Sequence, residues 1–323
     1  MQSLWMLFAT FLFSLMSVCV KFVSDSYSTV EIVMYRSLIG VVVIGLLMAV
    51  RGAAFKTRFP LAHLWRGVVG ATAFGLWFFS VAKLPLATAM TLNYMSPIWI
   101  AAMLFGIGWW RGKMHFEWRL VAAVLTSFVG VALLLKPSIH ADQLLWGAIG
   151  LCSGMLASLA YLQVRQLGIL GEPEDRVVFY FCITGTVGGA IACWIGAILP
   201  GSDGVVWHAH DWRGFMLLTA IGVFAAGGQM AMTRAYHLGK TLVTANLQYT
   251  GIVFSSIWGI LIWDDSLGWM GWLGMTIIIA SGVVATFFDV RHKQAVAFTA
   301  AKDMLVAADG TEGSKYTKGK AAD

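Results

Sequence analysis

Thr91-Leu92-Asn93-Tyr94-Met95-Ser96-Pro97 is a polar stretch in the middle of an apolar run that extends from residue 86 to residue 109. A second such stretch, Thr244-Ala245-Asn246-Leu247-Gln248-Tyr249-Thr250, lies within the apolar run 241–263 and repeats the spacing of Thr and Asn. Each run is long enough to span a bilayer as a helix, and a polar group without a partner there costs several kcal/mol. Polar groups placed twice at that depth predict the lining of a pathway for a solute.

The composition is that of a membrane protein. Hydrophobic residues make up 59% of the chain and charged residues 12%, whereas about a quarter of the residues of a soluble domain are charged. The net charge of +6 comes from basic residues in short loops, a distribution that favours orientation in a membrane over binding of nucleic acid. The four cysteines lie in apolar runs without CxxC spacing, so neither a disulfide framework nor a zinc site is expected.

Windows of about 20 apolar residues predict an all-α protein with ten transmembrane helices. Their approximate limits are 4–23, 30–50, 64–82, 86–109, 119–136, 144–164, 177–199, 213–232, 241–263 and 268–288. The remaining residues, 289–323, are mostly small or charged, and we expect a largely disordered cytoplasmic tail.

The charges of the loops predict the orientation of the chain. With the N-terminus inside, the cytoplasmic side carries eleven basic residues, and the opposite loops carry only Lys83, Lys136 and Arg213. The eleven are Arg51, Lys56, Arg58, Arg66, Arg111, Lys113, Arg119, Arg165, Arg176, Arg234 and Lys240. The positive-inside rule therefore predicts a multi-pass protein with both termini in the cytoplasm.

The two halves of the chain are related in sequence. Trp65-Arg66-Gly67 recurs as Trp212-Arg213-Gly214, and three further identities follow in the same register. We therefore expect two five-helix repeats, residues 1–137 and 138–288. Because five is an odd number of spans, the second repeat is inverted relative to the first, a plan that places the binding site at the repeat interface near the middle of the membrane.

The two polar stretches supply the first candidate residues for binding a solute. These are Asn93, Tyr94 and Ser96 on the fourth helix, and Asn246, Gln248 and Tyr249 on the ninth. Pro97 should kink the fourth helix and free the carbonyl of Asn93, so we expect a bent fourth helix and a straighter ninth. The alternative is that both asparagines only hydrogen-bond neighbouring helices, with bonds of about 0.6–2 kcal/mol.

Four more residues are candidates for the same cavity: Arg36, Trp77, Tyr161 and Gln229. For the aromatic residues the alternative is ordinary packing. Arg36 either counters an anionic group of the solute or reaches toward the interface or toward backbone carbonyls.

Several kinds of chemistry are disfavoured by what the chain lacks. Its carboxylates sit at predicted helix ends or in loops, which disfavours a proton-driven multidrug antiporter built on one glutamate and favours neutral, zwitterionic or anionic solutes. His208-Ala209-His210-Asp211 has no third spaced ligand, so we expect a solvated loop and no metal site. We find no nucleophile with a base and no cofactor fingerprint, so neither an enzyme nor a bound cofactor is predicted.

The chain resembles the drug/metabolite transporter superfamily, specifically the ten-helix EamA type, over residues 4–288. The resemblance is carried by Met34-Tyr35-Arg36, by Trp65-Arg66-Gly67, by residues 82–89 leading to Ser96-Pro97, and by residues 235–240 leading to Gln248-Tyr249-Thr250. The family commonly has a Gly-Glu pair after the fourth and ninth helices, where this chain has Arg111-Gly112-Lys113 and Trp263-Asp264-Asp265. Similar transporters move amino acids, S-adenosylmethionine, riboflavin and other metabolites.

The function we predict is secondary transport of a small polar metabolite across the bacterial inner membrane by alternating access. The solute would be an amino acid, an S-adenosylmethionine-like or a vitamin-like compound. The expected partners are the solute and the lipid bilayer, and the expected state is a monomer, with a dimer as the alternative. One alternative function is a proton-coupled exporter of drugs or metabolites. From a different class, the alternative is a membrane scaffold or sensor that binds without transport.

Overall fold

The protein is described by a computed structural model that covers residues 2–24, 26–84, 86–110, 118–136, 143–198, 208, 211–264, 266 and 268–287. These residues are almost entirely helical and contain no β-strand. A short 3₁₀ turn, Gln2–Leu4, precedes twelve helices. They are α1 Trp5–Val23, α2 Thr29–Val50, α3 Pro60–Lys83, α4 Leu86–Asn93, α5 Ser96–Trp110, α6 Trp118–Leu135, α7 Leu144–Ile169, α8 Glu174–Ile198, α9 Trp212–Leu238, α10 Thr241–Leu247, α11 Thr250–Trp263 and α12 Trp269–Phe287.

The predicted architecture of ten spans is confirmed within the described residues. Nine segments are long and apolar enough to cross a membrane, and α4–α5 and α10–α11 each contribute to one of them. Helix α3, with 24 residues, is the tenth long helix. The predicted repeat boundary at 137 and 138, the tail 289–323, His210 and Arg111-Gly112-Lys113 lie outside the described residues.

The helices of the two halves pair with one another. Helix α1 packs along α9, α3 along α7, and α2 along α8. When the spans are counted in chain order, α7 takes the place of α1 in the second half and α9 takes the place of α3. The α1–α9 contact and the α3–α7 contact are therefore equivalent contacts between the repeats. A two-fold relation between the repeats requires this equivalence.

The α2–α8 contact shows the same relation at the level of side chains. A Cβ on Gly40 would lie 2.7 Å from Sγ of Cys182, and a Cβ on Gly185 would lie 2.6 Å from Oγ of Ser37. Each helix thus sets a glycine against a small residue of the other. Small residues let helix backbones approach closely in lipid, where helix association depends on packing rather than on the hydrophobic effect.

Both polar stretches interrupt their helices. Helix α4 ends at Asn93 and α5 begins at Ser96, at the place predicted from Pro97. Helix α10 ends at Leu247 and α11 begins at Thr250, so the prediction of a straighter ninth span is wrong.

The second interruption forms without a proline. The hydroxyl of Thr250 donates to the carbonyl of Leu247 at 2.6 Å, and its oxygen lies 3.0 Å from the hydroxyl oxygen of Thr10 on α1. The amides of Gln248 and Tyr249 donate to carbonyls three residues earlier, at 3.2 Å each. A side-chain hydroxyl and a tight turn therefore satisfy backbone groups that a continuous helix would pair.

The loops gather at the two ends of the bundle. At the end where α1 begins, called here the N-terminal end, Oγ of Ser3 accepts a hydrogen bond from the backbone N–H of Lys240 at 3.2 Å. There Nε of Arg176 also donates to the carbonyl of Ala54 at 2.9 Å. At the opposite end Glu31 closes a capping box with Ser28 at the start of α2.

Candidate functional site

A cavity of about 250 Å³ lies between the two halves of the bundle. Both helix interruptions reach it, the first through Asn93 and Tyr94 and the second through Gln248 and Gly251. Its size is just below the range of about 300–1,000 Å³ that is usual for drug-sized ligands. The cavity therefore suits a small metabolite.

Seven of the ten residues predicted to bind solute line this cavity, while the other three are packed elsewhere. The seven are Arg36, Trp77, Asn93, Tyr94, Tyr161, Gln229 and Gln248. Ser96, Asn246 and Tyr249 are at most 1% exposed and are not part of the wall. Their role as solute contacts stays a prediction.

Helix geometry explains part of this division. Asn246 precedes Gln248 by two residues, which is about 200° around a helix, so the two side chains point to different sides of the span. Tyr249 packs with Val124 and Ile278 in a separate apolar cluster. The periodicity of the second polar stretch could have separated Asn246 from Gln248 before the fold was known.

Gln248 is held by two tyrosines. Its Nε2 donates to the hydroxyl of Tyr161 at 3.2 Å, and its Oε1 accepts from the hydroxyl of Tyr236 at 3.3 Å. The two tyrosine rings stack with centroids 5.4 Å apart and planes 8° apart. Tyr236, which is fully buried, was not among the predicted site residues. It orients the amide of Gln248 at the second interruption.

Asn93 is held by α7. Its Nδ2 donates to Oγ of Ser153 at 2.9 Å. The neighbouring Gly154 lets the interrupted backbone approach, since a Cβ there would lie 2.7 Å from the carbonyl oxygen of Leu92 and 3.2 Å from that of Asn93. The first interruption therefore rests directly on the backbone of α7.

Arg66 is a wall residue that the sequence analysis placed elsewhere. It was counted with the cytoplasmic loops, but α3 begins at Pro60, so Arg66 lies nearly two turns inside the helix and is 4% exposed. Proline is typical of the first position of a helix, and this signal in the sequence would have moved the predicted start of the third helix. The prediction that Arg66 is a loop charge is wrong.

The guanidinium group of Arg66 packs against Phe181 and Gly70. Its central carbon lies 4.2 Å from the ring centroid of Phe181. One turn further along α3, a Cβ on Gly70 would lie 2.6 Å from Nη1 of Arg66. Among the described residues, Nε and Nη1 of Arg66 are buried without a hydrogen-bond partner.

Arg36 lines the same cavity and is only partly buried. Its guanidinium carbon lies 5.4 Å from the ring centroid of Phe74. No aspartate or glutamate belongs to the described wall. The fixed charges of the cavity are thus positive.

No group of three or more His, Cys, Asp or Glu residues that could hold a metal ion occurs in the described part of the chain. His208, from the loop considered as a metal site, instead places Nδ1 2.9 Å from Oε2 of Glu31. Asp211 caps the start of α9 by accepting from the backbone N–H of Gly214 at 2.7 Å.

Known proteins that resemble the chain are transporters. The model of the EamA-like transporter family matches residues 1–136. The pseudopaline exporter CntI of Pseudomonas aeruginosa is 32% identical over 278 residues, which cover 84% of this chain and 91% of that protein. Human solute carrier family 35 member G1 is 25% identical over 86% of this chain and 77% of that protein. The riboflavin transporter of Rhizobium johnstonii is 23% identical over 75% of each.

A solved crystal structure superposes with a TM-score of 0.74 at 16% identity, over 89% of this chain and 97% of that one. The helical fold and these relatives define a multi-pass membrane transporter, not an enzyme. The chain belongs to the EamA-like family of the drug/metabolite transporter superfamily.

Proposed function

We propose that the protein is a secondary transporter that moves a small polar metabolite across the bacterial inner membrane by alternating access. The observation that carries the proposal is the meeting of two interrupted spans, one from each half of the chain, at one cavity with polar side chains from both. Interrupted helices at a repeat interface are the usual construction of binding sites in secondary transporters. The printed names of the relatives, an exporter of pseudopaline and a transporter of riboflavin, support a metabolite as the solute.

The proposed orientation has both termini in the cytoplasm. With Arg66 inside the bundle, ten of the eleven basic residues assigned to that side remain there, which still favours this orientation under the positive-inside rule. A cysteine introduced at Lys56 should then react with a membrane-impermeant reagent only after the cells are opened.

Asn93 and Gln248 are the proposed solute contacts whose replacement should reduce transport most. Each of them brings one helix interruption to the cavity wall. A comparison of metabolites inside and outside cells that lack or overproduce the protein identifies the solute. Transport of that solute by purified protein in liposomes should then fall by about tenfold or more in the double variant N93A/Q248A, because two neutral hydrogen bonds of about 0.5–1.5 kcal/mol each are lost.

A matched control is T276A on α12. Thr276 is exposed, and among the described residues its hydroxyl bonds only to the carbonyl of Trp272 in its own helix, at 2.9 Å. This variant should keep the wild-type rate. Wild-type transport by N93A/Q248A at equal protein level would show that the site is assigned wrongly.

A further inference from the structure

We propose that the transported solute is an organic anion and that Arg36 and Arg66 together bind its carboxylate groups in the cavity. The inference rests on the proposed transport function and narrows it to one charge class. Four observations on the described residues support it. They are a buried guanidinium group without a hydrogen-bond partner, a second guanidinium group in the same cavity, a wall without carboxylates, and aromatic and amide side chains around the two arginines.

The first observation is the state of Arg66. A guanidinium group is always charged and carries five N–H donors. Arg66 is 4% exposed, and two of its nitrogens have no hydrogen-bond partner among the described residues. Charged side chains within membrane-spanning bundles are rare, face the interior and pair with other groups there. An arginine kept there without a protein partner is typical of a site completed by a ligand.

The second observation is that Arg36 shares the cavity although it comes from a different helix. Both arginines line the same cavity wall. Two cations that share one cavity in a medium of low dielectric constant repel each other. A bound anion would remove this repulsion.

The third observation concerns the carboxylates that could have neutralised the two arginines. Among the described residues, every glutamate is paired at an end of the bundle: Glu31 with His208, Glu172 with His63 and Arg176, and Glu174 with Arg234. No salt bridge within that part of the chain involves Arg36 or Arg66. No aspartate belongs to the described wall either, so the neutralising charge has to come from outside the wall.

The fourth observation sets the kind of anion. Carboxylate, like phosphate, is a group that a guanidinium binds in bidentate geometry. Phe74 and Phe181 flank the two guanidinium groups, and Asn93 and Gln248 offer amides to the same space. A cavity of about 250 Å³ with aromatic and amide walls suits a small organic acid better than a bare inorganic ion, and its positive charge excludes organic cations.

The test compares matched acids and amides as ligands of the purified full-length protein. The protein is held in nanodiscs of phosphatidylcholine, so that no anionic headgroup competes. The probes are succinate, glutarate and benzoate, their neutral counterparts succinamide, glutaramide and benzamide, and sodium chloride at equal ionic strength. Binding is read from tryptophan fluorescence, to which Trp77 in the wall contributes, and from the shift of the unfolding temperature.

We expect at least one acid to bind while its amide and chloride do not. The variants R36Q and R66Q should each weaken that binding by about tenfold or more, since each removes a charge-assisted pair. R66K should restore part of the binding, because it returns the charge but not the fork of donors. The matched control is R51Q, which removes an exposed arginine at the end of α2 and should bind like the wild type.

Three results would overturn the proposal: no binding of any acid, equal binding of acids and amides, or wild-type binding by R36Q and R66Q. Its failure is distinct from failure of the transport function. Protein that binds an acid but moves no solute across liposomes would refute transport alone. Protein that transports an amide in a manner sensitive to N93A, while ignoring the acids, would refute only the anion.

Discussion

At the scale of single residues, the position of a glycine decides where a polar group can sit. Gly154 on α7 leaves room for the carbonyls of Leu92 and Asn93 at the first interruption. Its neighbour Ser153 accepts a hydrogen bond from the side-chain amide of Asn93. Gly154 thus provides the space for the interrupted backbone, and Ser153 provides the hydrogen bond to Asn93. The orientation of Asn93 in the cavity depends on both.

Replacing Gly154 by alanine should therefore move the first interruption. The new Cβ would lie 2.7 Å from the carbonyl oxygen of Leu92, and this backbone contact cannot relax by rotation of a side chain. We expect a loss of about 1–3 kcal/mol of stability, the usual cost of overpacking, and slower transport. The unfolding temperature in detergent and the transport rate in liposomes measure the two effects.

The matched control is G106A on α5, where a Cβ would meet no atom within 4 Å. Alanine there should leave stability unchanged or raise it by up to about 1 kcal/mol, because alanine has the higher helix propensity. If G154A behaved like G106A, the close contact between α7 and the interruption would not constrain Asn93.

At the scale of elements, two interrupted spans reach the same cavity by different chemistry. Pro97 lacks the N–H that would pair with the carbonyl of Asn93, whereas Thr250 uses its hydroxyl to bond the carbonyl of Leu247. Thr250 occupies the position that Pro97 has in the first stretch when Asn93 and Asn246 are aligned. In this protein the helix interruption in the fourth span contains a proline, and the one in the ninth span contains a threonine hydroxyl instead.

The variant T250V tests the second way. It keeps the shape of the side chain but removes the hydroxyl that contacts Leu247 and Thr10, so buried polar groups lose their partner. We expect a loss of about 1–3 kcal/mol, read as a lower unfolding temperature, together with faster hydrogen exchange of the amides around residue 248.

The matched control for T250V is T276V, which removes an exposed hydroxyl that donates to the carbonyl of Trp272 in its own helix. Its effect should stay within about 0.5 kcal/mol. A T250V protein as stable as T276V would mean that the turn at Gln248 and Tyr249 persists without the hydroxyl.

At the scale of the whole molecule, histidine and carboxylate pairs join the two halves at both ends of the bundle. At the N-terminal end, Nε2 of His63 lies 3.1 Å from Oε2 of Glu172, and at the opposite end His208 pairs with Glu31.

Glu172 makes the N-terminal pair sensitive to acid. Burial raises the pKa of its carboxyl group, but hydrogen bonds from His63, Thr57 and Arg176 lower it more, so the pKa lies below its usual value of 4.5. A carboxyl group whose pKa is lowered by folding stabilises the protein above its unfolded pKa, and this contribution is lost as the pH falls through the folded pKa.

The unfolding temperature should therefore fall as the pH drops below about 4.5. E172Q should be less stable at pH 7 by about 1–3 kcal/mol and should lose less on acidification. The control E174Q breaks a more exposed pair with Arg234, whose atoms are 3.7 Å apart, and should change stability by about 0–1 kcal/mol. If the unfolding temperatures of E172Q and the wild type fell equally on acidification, protonation of Glu172 would not contribute to the loss of stability.

The sequence by itself determined the membrane class, the ten spans, the relation of the halves and the two polar stretches. These follow from local chemistry, because apolar runs of fixed length and polar groups at membrane depth have few alternatives. Only the tertiary structure decided which polar groups share a cavity. Arg66 lines it and Tyr236 holds Gln248 from outside the wall, whereas Ser96, Asn246 and Tyr249 do not line it. The direction of each side chain depends on where its helix begins, where it is interrupted and which helix packs beside it.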